Sequence, residues 1–118
     1  MRLNIISNKR GDGYLSDYSV IDWITQHSMA MPDKLASIDL ASNRHYTYSE
    51  MNDRVGRLAN HLQSLGITKG DRVAYFAFNS TDVVEIIFTC WRIGAIAVAL
   101  NFRLTATELT FIINDIFN

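Results

Sequence analysis

The sequence predicts an α/β fold: a partial parallel sheet built from βαβ units, flanked by helices and preceded by an N-terminal β-hairpin. Three observations carry that prediction. Val73–Phe78 and Ile96–Leu100 are apolar runs without alternation, the pattern of strands covered on both faces. Between them, about Thr81–Ile93 has the length and apolar character of a buried helix, and strand–helix–strand implies a parallel crossover. Two capping-box patterns, Thr47-Tyr-Ser-Glu50 and Thr105-Ala-Thr-Glu108, mark helix starts where the apolar periodicity changes.

The elements follow in order. Residues 1–18 are polar, with Asn8, Lys9, Gly11 and Gly13, and are expected to form an irregular arm. Ser19 is placed to cap a helix over Val20–Met31, with Asp22 favouring the positive end of the helix dipole. Pro32 stops it, because the residue before proline is driven out of the α region. Leu35–Leu40 alternates as a half-buried strand, Ala41–Arg44 forms a turn, and His45–Tyr48 returns as the second strand of a hairpin. The helix opened by Thr47 and Glu50 presents Met51, Val55, Leu58, Leu62 and Leu65 at a helical period. Gly66 is suited to the left-handed residue that closes it.

Gly70 falls in a short turn before the Val73–Phe78 strand. Asn79 or Ser80 is expected to cap the next helix, whose polar stripe is Asp82, Glu85, Thr89 and Arg92. Gly94 ends that helix. A last helix runs from Thr105 to about Asp115. Two central strands plus a hairpin make a thin sheet, and a further strand is expected near Ile116-Phe117-Asn118. The chain therefore has the pattern of an incomplete fragment of a larger domain. A thin sheet leaves apolar edges open, so marginal stability and self-association through exposed apolar surface are expected.

Composition narrows the function. At 118 residues and 13.4 kDa the chain has the size of one domain. Its 48% hydrophobic content can fill a core, and six glycines with one proline argue against a disordered or collagen-like chain. A net charge of −1 lacks the basic field that nucleic-acid binding requires. Cys90 stands alone, so neither an internal disulfide nor a paired-cysteine metal motif is available. The stretch containing Leu3, Ile5 and Ile6 is too short for a secretory signal, which makes a cytoplasmic location the expectation. Val83–Leu100 is interrupted by Glu85, Arg92 and Gly94, so no membrane span is expected.

No active site is expected in these residues. There is no GxGxxG, no GxxxxGK[ST] and no GxSxG pattern. Gly66, Gly70 and Gly94 are each accounted for by a helix stop or a turn. His27, His45 and His61 have no i, i+4 partner of metal-ligand type. Cys90 sits on an apolar helix and is expected to be a buried, inert thiol. Asp82 and Glu85 at i, i+3 resemble an acid–base pair, but the expectation is a solvated stripe shared with Arg92. Trp23, Tyr75, Phe76, Phe78, Phe88 and Trp91 are expected in the core. Catalytic, cofactor-binding and metal residues are all assigned as none.

A family resemblance emerges from the order of short motifs. Tyr46-Thr-Tyr-Ser-Glu-Met51 resembles the first core motif of the adenylate-forming (AMP-binding) synthetase superfamily, with Met51 in place of the usual leucine. Pro32-Asp33-Lys34 with Ala36, Leu58-Ala-Asn60, Leu65-Gly66, Lys69-Gly-Asp-Arg-Val73 and Asn79-Ser80 follow in the family's order. Arg92-Ile-Gly-Ala95, Ala99-Leu-Asn101, Asn101-Phe-Arg-Leu-Thr105 and Glu108-Leu109 complete it, with Ala99 and Phe102 where the pattern has prolines. The set is most similar to acyl-CoA synthetases.

The resemblance implies an ATP-dependent acid–CoA ligase that needs ATP, Mg²⁺ and coenzyme A. Residues 19–118 would be the N-terminal part of its large domain, truncated before the phosphate-binding loop. The family's Ser/Thr/Gly-rich loop with its lysine, its ribose-binding aspartate and its catalytic lysine have no counterpart among these residues. The implied partner is the rest of the synthetase chain, and the matched residues are expected to be fold determinants. Asp71 and Arg72 are expected to pair locally, and Asn101 and Arg103 to anchor a loop or shape an interface. The alternative is a stand-alone interaction module or truncated product without enzymatic activity.

Overall fold

The structure is a computed structural model that describes residues 4–8 and 22–117. Nine elements follow one another: β1 (Asn4–Asn8), α1 (Trp23–Ala30), β2 (Leu35–Asp39), β3 (Arg44–Thr47), α2 (Tyr48–Ser64), β4 (Arg72–Phe76), α3 (Thr81–Ile93), β5 (Ile96–Leu100) and α4 (Ala106–Phe117). They form a three-stranded sheet in the order β1-β4-β5 and a separate β2-β3 hairpin. β4 and β5 run parallel, with Arg72 opposite Ile96 and Phe76 opposite Leu100. The α/β class, the hairpin and the βαβ unit thus match the sequence expectation.

The N-terminal segment differs from it. Part of the expected irregular arm is β1, which pairs antiparallel with β4 from Asn4 opposite Phe76 to Asn8 opposite Arg72. Its two apolar residues, Ile5 and Ile6, are adjacent and flanked by Asn4, Ser7 and Asn8, so no strand alternation marked it. The predicted Ser19 cap lies outside the described residues. α1 is instead capped by Asp22, whose carboxylate accepts from the Thr25 N–H at 3.1 Å.

The capping boxes form as the spacing predicts. Glu50 N–H donates to the Thr47 hydroxyl and Thr47 N–H to the Glu50 carboxylate, at 3.2 and 2.8 Å. Thr105 and Glu108 repeat the arrangement before α4. Ser80 occupies the cap position of α3 but its side chain makes no capping bond. Gly66 and Gly94 hold φ of 89° and 74° at the ends of α2 and α3, a region that costs an L side chain roughly 1–2 kcal/mol.

One core cluster lies between β4 and helices α2 and α3, formed by Leu62, Ile67, Val73, Tyr75, Ile86, Cys90 and Ala95. A second, of Ile24, Met51 and Val55, joins α1 to α2. Three core expectations are corrected. Leu65 is 64% exposed, because α2 ends there and its side chain passes beyond the sheet. Trp23, Phe78 and Trp91 are also exposed, lying at a helix start, beyond the end of β4 and on the outer side of α3. β5 is apolar throughout yet shows exposed and half-buried side chains, since it is the sheet edge.

Two family-like stretches meet behind β4. Gly70 N–H donates to the Gly94 carbonyl and Ile96 N–H to the Asp71 carbonyl, both at 2.8 Å. The predicted Asp71–Arg72 pairing does not form. The buried Asp71 carboxylate accepts from the N–H and hydroxyl of Thr68, and Arg72 donates to the Ile116 carbonyl. Asp71 closes the turn that precedes β4, whereas Arg72 begins the strand, and the two side chains take different partners.

Candidate functional site

An open, charged groove of about 580 Å³ lies between the hairpin and the α2–α3 pair. β3 contributes Arg44, α2 contributes Arg54, Arg57, Leu58 and His61, and α3 contributes Asp82 and Glu85. Helical spacing explains the lining. Positions 54, 57, 58 and 61 share one face of α2, and positions 82 and 85 share one face of α3. The two faces bring a basic stripe against an acidic one.

The pairings are close. Arg54 Nε and Nη2 reach the two Glu85 oxygens at 2.5 and 3.1 Å, a bidentate contact on a carboxylate only 5% exposed. The Arg54 guanidinium also lies 4.4 Å from the centre of the Tyr46 ring and 3.7 Å from Asp82. Arg44 holds both Asp82 oxygens at 3.0 Å and reaches Asp39 at 3.2 Å. Hydrogen bonds from Arg44 hold the Asp82 carboxyl below its ordinary value despite partial burial. The Arg54 guanidinium is shifted upward chiefly by its bonds to Glu85.

The sequence expectation of a solvated Asp82–Glu85–Arg92 stripe is therefore corrected. Glu85 and Thr89 are buried. Arg92 turns toward a different set of partners: Asp22 at 2.5 Å, Asn52 Oδ1 at 2.7 Å and Thr25 Oγ1 at 3.0 Å. It binds α3 to α2 and to the start of α1. Burial pushes the Asp22 carboxyl upward, but bonds from Arg92 and Thr25 outweigh it and leave a net downward shift.

This chemistry is that of a tertiary tie. Each groove carboxylate is bridged by an arginine, which offsets its charge and ties neighbouring elements together. Cys90 is buried, and burial pushes its thiol up to about 11, far from a reactive thiolate. His27 Nδ1–H donates to the Trp23 carbonyl and its ring lies against the Tyr48 ring, His45 is exposed on β3, and His61 borders the groove. Among the described residues no three His, Cys, Asp or Glu side chains converge on a metal position.

Asn101 and Arg103 sit in the turn between β5 and α4. The Asn101 carboxamide accepts from the Arg103 N–H at 3.0 Å, which anchors the loop. Phe102 meets Phe78 at 4.2 Å between ring centres. The charge ties escaped the sequence reading because their partners are 31 to 70 residues apart. The one signal available was a narrow acidic stripe on an otherwise apolar helix, matched by a basic stripe on its predecessor.

A mixed sheet backed by two charge-clamped helices defines part of an α/β protein. The chain belongs to the AMP-binding enzyme family, whose model matches residues 24–116. It is 46% identical over 69 residues to a feruloyl-CoA synthase of an Amycolatopsis species, covering 58% of this chain and 14% of that protein. It is 36% identical over 96 residues to a long-chain-fatty-acid–CoA ligase of Mycobacterium tuberculosis, covering 80% of this chain and 19% of that protein.

Solved structures agree. A fatty acyl CoA synthetase of Mycobacterium tuberculosis superposes with a TM-score of 0.74 at 36% identity, over 80% of this chain and 19% of that one. The o-succinylbenzoate coenzyme A synthetase of Bacillus subtilis, solved with ATP and magnesium ion, gives 0.69 at 27% identity over 79% of this chain and 25% of that one. The chain thus spans less than a fifth of the length of the curated relatives described here. No helix among the described residues is long and apolar enough to cross a membrane.

Proposed function

We propose that this chain is the N-terminal scaffold of an ATP-dependent acid–CoA ligase and performs no adenylation by itself. Its relatives activate different acids, feruloyl and long-chain fatty acyl among them, while sharing this segment. The single observation that carries the reading is the state of the convergent carboxylates: Asp82 and Glu85 are both occupied by Arg44 and Arg54. They hold the hairpin and the helices in place. In the complete ligase, ATP and Mg²⁺ would serve carboxylate activation, and coenzyme A would accept the acyl group. That chemistry requires cationic and backbone donors around the phosphates, and these residues supply no such cradle. A cytoplasmic site of action, with the remainder of the synthetase as partner, belongs to the same reading.

The test is carboxylate-dependent exchange of pyrophosphate into ATP by the purified 118-residue chain. No exchange above a buffer blank is expected with ferulate, fatty acids or 2-succinylbenzoate. Exchange that depends on an added acid would overturn the assignment. The exposed β5 edge favours a second reading, an interaction module acting without catalysis, which survives if the chain binds a partner while remaining inactive.

A further inference from the structure

We infer that α1 is a hinged flap: it lifts from α2 as one unit about Met31 and Pro32, and the Arg92 guanidinium is the latch that holds it closed. The inference is independent of the ligase reading. Every contact it uses joins residues within 22–92.

Apolar packing alone holds α1 weakly. The helix has eight residues and one buried side chain, Ile24, whereas α2 has seventeen residues and four. A helix this short is marginal by itself, and one buried isoleucine offsets only part of the entropy of ordering it. Besides the contact between the His27 and Tyr48 rings, the hold is polar and gathered at the N-terminal end of α1. Arg92 Nε donates to Asp22 Oδ2, Nη2 to Thr25 Oγ1 and Asn52 Oδ1, and Nη1 to the Asn52 carbonyl. The Thr25 hydroxyl donates to the same Asp22 oxygen at 2.8 Å. The guanidinium passes close over Gly56, where a Cβ would stand 3.4 Å from Nη1. One side chain of α3 thus joins α1 to the middle of α2.

Asp22 couples closing to helix formation. Its Oδ1 caps the Thr25 N–H while its Oδ2 takes Arg92. A carboxylate that turns away from Arg92 also gives up the position that caps α1, so undocking and fraying are one event. The far side of the hinge is fixed without α1. The Pro32 carbonyl accepts from Ser49 N–H at 3.0 Å and the Lys34 carbonyl from Tyr48 N–H at 2.9 Å. Helical geometry ends at Met31, at φ −149° and ψ 65°. Rotation there moves α1 and leaves the start of α2 in place. Lifting the flap removes Ile24 from Met51 and Val55, so the latch gates an apolar face of α2.

The test is native-state hydrogen exchange on the 118-residue chain at a series of low urea concentrations, read residue by residue. The amides of residues 26–31 should share one opening, roughly tenfold or more as frequent as global unfolding, with a shallower urea dependence than the core amides of α2 and α3. Asp22→Asn keeps a capping side chain but sets an amide NH₂ against Arg92. Arg92→Gln removes the latch from the other side. Each should speed exchange in α1 roughly ten- to a hundredfold, the worth of hydrogen bonds to a charged group. Arg54→Ala weakens α2–α3 contacts that persist when α1 is open, so it should speed core exchange and leave α1 within about twofold. Amides of α1 that exchange only with the core, at the core's urea slope, would overturn the inference. So would α1 exchange that Arg54→Ala speeds as much as Asp22→Asn does. Failure of both latch variants to fold would overturn it too, since a flap lifts from a fold that stands without it.

Discussion

Replacing Arg54 by alanine should destabilise the chain by about 3 kcal/mol. The magnitude follows from what Arg54 leaves behind. Glu85 is 5% exposed and loses both of its bonds, at 2.5 and 3.1 Å. Removing one partner of a buried ion pair costs roughly 3–5 kcal/mol, whereas an exposed pair is worth at most about 1. Arg54 itself is 30% exposed, which places the cost at the lower end of the buried range. Loss of its contact with Tyr46 adds about 0.5–1 kcal/mol. For a chain of this length the change should lower the melting temperature by roughly 10 °C.

Urea denaturation of Arg54→Ala, of Glu85→Ala and of the double variant gives the coupling directly. The double variant should be less destabilised than the sum, since removing both charges leaves neither stranded. Arg57→Ala is the control: Arg57 is 70% exposed and pairs with Asp53, itself 68% exposed, so a change within about 0.5 kcal/mol is expected. An Arg54→Ala cost no larger than that of Arg57→Ala would refute the view that the groove is a tertiary tie.

Three further outcomes follow from the same geometry. Thr89→Val should be neutral or stabilise by about 1 kcal/mol, because the fully buried Thr89 hydroxyl has no hydrogen-bond partner among the described residues; a chemical melt decides it. Gly94→Ala should cost about 1–2 kcal/mol from its φ of 74°, plus displacement of Lys69, whose Cγ lies 2.8 Å from the new Cβ. Adding Lys69→Ala should recover only the second part. Stability should also fall in acid: Asp22 and Asp82 titrate below 3.8 in the folded chain, so their contribution is present above that pH and lost as pH drops through the folded values. Denaturation at pH 7, 5 and 3 should show the loss below pH 5, and Asp82→Asn should flatten it.

Local rules made most of the fold legible. Thr47–Glu50 and Thr105–Glu108 are short-range devices, and their spacing alone located two helix starts. Gly66 and Gly94 likewise marked two helix ends, because few other residues tolerate their φ. The parallel β4–β5 pair followed from two unalternating apolar runs on either side of a helix. What stayed hidden was non-local. Arg92 meets Asp22 across 70 residues, and no spacing rule distinguishes that partner from solvent. Glu85 looked like an ordinary exposed helix charge until α2 and α3 packed face to face and brought Arg54 onto it. β1 was masked by its polar composition, and the exposure of Leu65 and Trp91 by a periodicity that continues past the edge of the core.

A chimera tests the scaffolding role most directly. Residues 24–116 of this chain would replace the matching segment of the Mycobacterium tuberculosis long-chain-fatty-acid–CoA ligase, and acyl-adenylate and acyl-CoA formation would be measured. The account predicts an active ligase that keeps the host's acid preference, since the transplanted segment supplies packing and no chemistry. A folded chimera that is inactive, or that takes on a different acid preference, would contradict it.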